Sequence, residues 1–204
     1  MQVIKLIYPV NMNIEPNVCG LGYFDGVHLG HQKLIDEVIT NAKNFNVKSA
    51  IFTFSKSIDL VLGLNFCGEI TPLNERIAIF ESLGIDICFV FEFNKAMSEL
   101  SPIDFMDKIL KPLNSKMIVC GNDFHFGYKG EGNYELLKTN FNVNVIDFLN
   151  VENKDYKISS RNIINYIKEA NLVETQRLLG RKYYIKGKII KGLGNGKKIG
   201  LYSR

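Results

Sequence analysis

The chain has 204 residues, 46% of them hydrophobic, and a formal net charge of +4. That length holds one large domain, or one domain with an appendage, and the apolar content is enough for an ordinary globular core. The small basic excess suits an anionic small molecule; without a basic stripe it makes no case for nucleic acid.

No run reaches the ~18 apolar residues of a membrane span, and the opening eight residues, with Lys5 among them, lack the apolar length and cleavage site of a secretory leader. Cys19, Cys67, Cys88 and Cys120 stand far apart with no Cys-x-x-Cys pair. They read as reduced, mostly buried thiols of a cytoplasmic protein.

Residues 3–7 and 18–21 are strand-like, and residues 29–45 carry a helical pattern on Leu34, Ile35, Val38 and Ile39. Between strand and helix lies Gly22-Tyr23-Phe24-Asp25-Gly26-Val27-His28-Leu29-Gly30-His31. A glycine-rich turn in that position lets backbone N–H groups converge on a phosphate. His28 and His31 fall on one face of the first helical turn, and Gly30 between them leaves room for a flat group. The pair also fits a solvated helix start or half of a metal site, although a metal needs a third ligand of matching type.

Strand-like runs follow at 47–54, 87–91, 117–120 and 143–148, with helical patterns at 72–83, 102–110 and 134–139. Thr71-Pro72 and Ser101-Pro102 read as helix starts, a capping side chain followed by proline, and Asp104 completes a capping box with a short acid. From Ser159 two more helices are expected, the second capped by Asn171 and ended by Gly180, and then a strand over 183–191. The tail 192–198 is glycine-rich and basic, but its spacing is not that of a phosphate-binding P-loop. Alternating strands and helices predict an α/β fold, a Rossmann-like three-layer α/β/α arrangement on a mostly parallel sheet. Ligands bind such sheets beyond the carboxyl ends of the strands, where residues 22–31 lie.

Further segments make the sequence specific. Ile70-Thr71-Pro72-Leu73-Asn74-Glu75-Arg76 precedes Leu83-Gly84-Ile85-Asp86. Leu100-Ser101-Pro102-Ile103-Asp104-Phe105 precedes Val119-Cys120-Gly121-Asn122-Asp123-Phe124-His125-Phe126-Gly127. Ile158-Ser159-Ser160-Arg161-Asn162-Ile163 precedes Leu178-Leu179-Gly180-Arg181-Lys182-Tyr183. In this order, with residues 22–31, the chain resembles the bacterial bifunctional riboflavin kinase/FAD synthetase family over its FMN adenylyltransferase module. That module belongs to the nucleotidyltransferase group marked by His-x-Gly-His.

The resemblance implies transfer of AMP from ATP to FMN, giving FAD and pyrophosphate, with Mg²⁺ accompanying ATP. It implies catalytic roles for His28, His31 and Asp123, and nucleotide contacts from Gly22, Phe24, Asp25, Gly26, Gly30, Ser159, Ser160 and Arg161. It implies that Asp123 helps position the phosphates or the metal, and it names no dedicated metal ligands. For Asp25 a turn or cap role stands level with a binding role. Phe124 and Phe126 read as core, His125 as a turn residue, and Ser159 and Ser160 serve equally as helix caps.

Three departures stand out. The family's Ser-Ser-Thr-x-Ile-Arg is Ser159-Ser160-Arg161-Asn162-Ile163-Ile164, which moves or removes a guanidinium. Its Pro-His-Pro is replaced after Phe54 by Ser55-Lys56-Ser57. The tail ends Leu201-Tyr202-Ser203-Arg204 where the family continues into the kinase. The division expected is an adenylyltransferase domain over 1–182 and the start of a kinase barrel over 183–204, without riboflavin kinase activity. Alternatives are a flavin- or ATP-binding homologue with little turnover, or a related adenylyltransferase with another phosphate-bearing acceptor. ATP and FMN are the expected small-molecule partners, no membrane is expected, and the oligomeric state is open.

Overall fold

The apolar runs Ala50-Ile51-Phe52 and Ile87-Cys88-Phe89-Val90-Phe91 leave no side for water, so they need a sheet covered on both faces. The computed structural model, which describes residues 1–10, 13–147 and 158–188, provides one. In chain order the elements are β1 (Gln2–Ile7), β2 (Asn17–Leu21), α1 (Leu29–Phe45), β3 (Lys48–Phe54), α2 (Ile58–Val61), α3 (Leu73–Ser82), β4 (Ile87–Glu92), α4 (Lys95–Ser98) and α5 (Pro102–Phe105). They continue as β5 (Ser115–Gly121), β6 (His125–Phe126), β7 (Gly132–Asn133), α6 (Tyr134–Lys138), β8 (Val143–Ile146), α7 (Ser160–Lys168) and α8 (Leu172–Leu179).

Six strands form a sheet in the order β1-β4-β3-β2-β5-β8, and every neighbouring pair is parallel. A two-stranded antiparallel pair, β6 and β7, stands apart from it. The period of two divides the core. Ala50, Phe52 and Phe54 pack with Phe105, Met106, Ile109 and Leu137 on one face. Ile51, Val18 and Val90 pack with Leu34, Ile35, Val38 and Phe80 on the other. Helices therefore cover both faces, giving the three layers expected. Each such Phe, Leu or Ile contributes about 1.5–3 kcal/mol by leaving water.

Two features aim α1 at its target. The helix packs so closely over β2 that a Cβ on Gly20 would stand 2.9 Å from Leu34 Cδ2 and Val38 Cγ2. The sheet also reverses its winding at β2: the chain steps outward through β3 to β4, then crosses to β5 on the other flank. At such a switch point the loops after the two central strands diverge and leave a crevice. Those loops are residues 22–28 after β2 and 122–127 after β5.

Ser101, Ser159 and Asn171 cap α5, α7 and α8 as expected, and Gly180 ends α8 in the left-handed region at φ 68°. Four expectations need correction. Thr71 does not cap α3, because Pro72 occupies the cap position and the Thr71 hydroxyl accepts from Arg181 instead. The helix expected over 102–110 is α only to Phe105 and a π-turn from Met106 to Leu110. Pro112 has no N–H to bond the carbonyl at 108, so an α-helix cannot run on to it. The Asp104 carboxylate meets the Ser101 hydroxyl and not its backbone N–H, being one methylene too short for a full capping box.

The fourth is the strand expected over 183–191. Residues 183–188 form none: they find no sheet edge, and Tyr184 and Lys186 bond the Glu75 carboxylate. Residues 189–204 lie outside the described residues. The four cysteines are free, with Cys19, Cys88 and Cys120 buried and Cys67 exposed.

Candidate active site

The turn after β2 is built from backbone few residues tolerate. Phe24, Gly26 and Val27 have φ of 59°, 79° and 39°. This left-handed path returns the chain onto the end of the sheet and starts α1 at His28. His28 is the cap: its Nδ1 accepts the backbone N–H of His31 at 3.3 Å. That bond leaves the ring proton on Nε2. The two imidazoles stack with centroids 3.5 Å apart and planes 15° apart, and Phe24 meets the His31 ring edge-on at 5.2 Å.

His31 is half-buried as a residue, but its Nδ1 is wholly shielded and has no hydrogen-bond partner. Burial pushes its pKa well below the usual imidazole range, and His28 beside it and Arg76 behind it push the same way. His31 is therefore neutral at physiological pH and carries one N–H.

A cavity of about 720 Å³ opens beside this turn. Gly22, Tyr23, Phe24, Asp25, His28 and His31 line it on one side. Asp123 with residues 124–127 lines it after β5, and Ser159, Ser160, Arg161 and Ile164 line it at the start of α7. Three stretches far apart in sequence thus meet, and the N-termini of α1 and α7 both open on the same space. Helix N-termini carry partial positive charge and unpaired N–H groups.

The remaining expected residues lie nearby in other roles. Gly26 and Gly30 do not line the cavity: Gly26 supplies a left-handed step, and Gly30 is buried in the first turn of α1. Asp25 touches the cavity, but its carboxylate accepts the N–H groups of Ile70 and Thr71 at 3.0 Å each. Burial raises its pKa and these bonds oppose the rise. Ser159 caps α7 and Ser160 donates to the Asp25 carbonyl at 2.8 Å, which ties α7 to the turn. Arg161 is exposed, and Ile164, one helical turn on, shares its cavity face. Phe126 is core, Phe124 is half-buried, and exposed His125 holds the Gly130 carbonyl at 3.0 Å from Nδ1.

Two parts of the site escaped the sequence reading. Residues 57–68 form an apolar wall through Ile58, Leu62, Leu64 and Phe66. Arg76 is fully buried, donating to the carbonyls of Tyr23 and Phe54 and to Thr53 Oγ1. Its signal was the helical period, since Arg76 stands four residues before the core residue Phe80.

An all-parallel sheet with a histidine-bearing, helix-starting turn at its switch point defines an α/β protein of nucleotidyltransferase type. The family model for FAD synthetase matches residues 10–162, and the chain belongs to that family. It is 35% identical over 207 residues to a bifunctional riboflavin kinase/FMN adenylyltransferase of Buchnera aphidicola, covering 98% of this chain and 66% of that protein. A Listeria monocytogenes FAD synthetase is 28% identical over 196 residues, covering 94% of this chain and 80% of the relative. The crystal structure of a Streptococcus pneumoniae chain named a macrolide-efflux protein superposes with a TM-score of 0.81 at 27% identity, over 97% of this chain and 66% of that one. Among the described residues no helix is long and apolar enough to cross a membrane.

Proposed function

We propose that the chain is an FMN adenylyltransferase, joining the FMN phosphate to the AMP of ATP to give FAD and pyrophosphate. The observation that carries this reading is the opening of two helix N-termini, one bearing the stacked histidines, on a single cavity. The phosphate oxygen of FMN attacks the α-phosphorus of ATP, the bond to the β-phosphate oxygen breaks, and pyrophosphate leaves with the electron pair. Such a transfer depends on alignment and on stabilising charge.

The imidazole N–H groups of His28 and of neutral His31 donate to the triphosphate as charge builds toward pyrophosphate. The free N–H groups of α1 and α7 add to them, and Ser159, Ser160 and Arg161 hold the nucleotide phosphates. The apolar wall of Leu62, Leu64 and Phe66, with Phe54, Phe93 and Phe124 also lining the cavity, accepts a flat ring system.

Among the described residues no cluster of three or more His, Cys, Asp or Glu could hold a metal. Mg²⁺ would arrive with ATP, because it binds through phosphates and one or two carboxylates and keeps waters. Asp123, on the cavity wall, would hold it. The ion neutralises phosphate charge when bound.

The test is incubation with ATP and Mg²⁺ plus FMN, phosphopantetheine or nicotinamide mononucleotide, with the products separated by chromatography. FAD and pyrophosphate in equal amounts, with FMN alone as acceptor, is the expected result. Binding of FMN and ATP without FAD at any Mg²⁺ concentration defeats the proposal.

A further inference from the structure

Val27 places a β-branched side chain at φ 39° and is completely buried. L-residues of that shape avoid left-handed backbone, and such a conformation persists only where its surroundings over-determine it. The surroundings here are specific. The Gln32 side-chain amide donates to the Val27 carbonyl at 2.9 Å and to the Leu179 carbonyl at 3.0 Å. Both protons of one NH₂ group are thereby used, and one joins residues 147 positions apart. Arg181 Nη1 lies 3.5 Å from each of the same carbonyls, and its Nη2 donates to Thr71 Oγ1 at 3.2 Å.

Leu179 ends α8, so its carbonyl is among those a helix leaves unpaired. Gly180 then turns tightly enough that a Cβ there would stand 2.5 Å from Leu29 Cδ2. None of Gln32, Leu179, Gly180 and Arg181 lines the cavity. They bind the turn from behind. His28 follows Val27 directly, and His31 bonds to His28, so both rings inherit their position from this joint.

We propose that Gln32, supported by Arg181, is a positioning residue for adenylyl transfer: it fixes the left-handed turn to the C-terminal end of α8 and thereby sets where His28 and His31 stand. The end of α8 lies beyond the residues matched by the family model. It belongs to the working site through this joint. The kinetic half of the proposal rests on the adenylyltransferase reading; the structural half does not.

Gln32→Met keeps the length of the side chain and removes both donors. Displacing reacting groups by about 1 Å costs up to about 100-fold in rate, so kcat should fall roughly 10- to 100-fold while KM for ATP and for FMN stays within about threefold. NMR of the imidazole ring protons supplies the second readout. The chain has three histidines. The His28 and His31 signals should shift or broaden, and the His125 signal should not move. Arg181→Met should act in the same direction more weakly.

Wild-type kcat with unmoved His28 and His31 signals in folded Gln32→Met overturns the proposal. So does a raised KM for ATP at unchanged kcat, which would make Gln32 a ligand contact. If Gln32→Met does not fold, Arg181→Met decides by the same readouts. If the wild-type chain makes no FAD while Gln32→Met still moves both signals, the joint stands and the adenylyltransferase reading fails.

Discussion

The Arg76 guanidinium lies 4.3 Å from the centre of the Tyr23 ring while its Nη1 donates to the Tyr23 carbonyl at 2.6 Å, so one buried cation grips both the side chain and the backbone of a cavity residue. The Tyr23 hydroxyl reaches across to the Glu69 carboxylate. The turn after β2, the end of β3 and the return into α3 are thus held around a single charge that has no salt bridge among the described residues.

Arg76→Met should unsettle that grip. It leaves the Tyr23 and Phe54 carbonyls and Thr53 Oγ1 without this donor. Leaving these buried acceptors without their donor costs about 3 kcal/mol in all, and for a domain of this size the thermal midpoint should fall by roughly 6–12 °C. Arg76→Lys should recover part of the loss, since one ammonium reaches some of these acceptors but cannot fork between them. Calorimetry measures both. A midpoint within about 2 °C of wild type in Arg76→Met would deny the residue its structural role.

The histidines separate chemistry from stability. His28→Ala and His31→Ala should each lower kcat by about 100-fold or more while FMN binding changes little, because the lost N–H acts on transition-state charge. The pH dependence of stability singles out His31. Its folded pKa lies well below the usual value of 6.5, so between those two values the unfolded chain binds the extra proton. Stability therefore falls as pH drops below about 6.5 and is fully present above it. His31→Gln should flatten this part of the curve of melting temperature against pH. An unchanged slope between pH 6.5 and pH 5 would mean that the ring is not held neutral.

Arg161 and Ile164 form a matched pair of tests. Both line the cavity at the start of α7, so a guanidinium at either position faces the same space. Arg161→Ala should raise KM for ATP by about tenfold, the worth of one charge-assisted hydrogen bond, and leave KM for FMN unchanged. Ile164 is half-buried at the edge of the small core formed with Ile70, Ile158, Ile163, Leu178 and Leu179. Ile164→Arg should fold and should restore ATP affinity in the Arg161→Ala background. No change in KM for ATP in Arg161→Ala would remove this residue from the nucleotide site.

The sequence made the sheet legible because its signals are local and strong. Phe52, Phe89 and Phe91 lie in continuous apolar runs, and Ser101, Ser159 and Asn171 precede helices at capping distance. The turn at 22–31 was legible as glycines and histidines between a strand and a helix. The joints that hold it were not. Gln32 meets Leu179 and Arg76 meets Tyr23 across 147 and 53 positions, and nothing in the neighbouring residues records either contact. Asp25 shows the same limit: turn residue and ligand contact look alike until the N–H groups of Ile70 and Thr71 are seen on its carboxylate. Of the strand expected at 183–191, residues 183–188 form none, because a run of β-formers needs a partner strand, and partners are chosen by the whole fold.

The thiols give a last test, one that reads the cavity without any turnover. Cys19, Cys88 and Cys120 are buried in the sheet, and burial pushes the Cys88 and Cys120 thiols up to about 12. The thiolate is the reacting form, so these three should be inert in the native chain. Cys67 is exposed and lines the cavity between Phe66 and Gly68. A maleimide added at pH 7.5 should therefore label one thiol per native chain quickly, and all four cysteines only after denaturation. Peptide mass spectrometry should place the fast label on Cys67. If the apolar wall at 57–68 receives the flavin ring, saturating FMN should slow this labelling several-fold, while ATP alone should slow it less. Labelling at the same rate with and without FMN would move the flavin away from that wall, whatever the products of the reaction turn out to be.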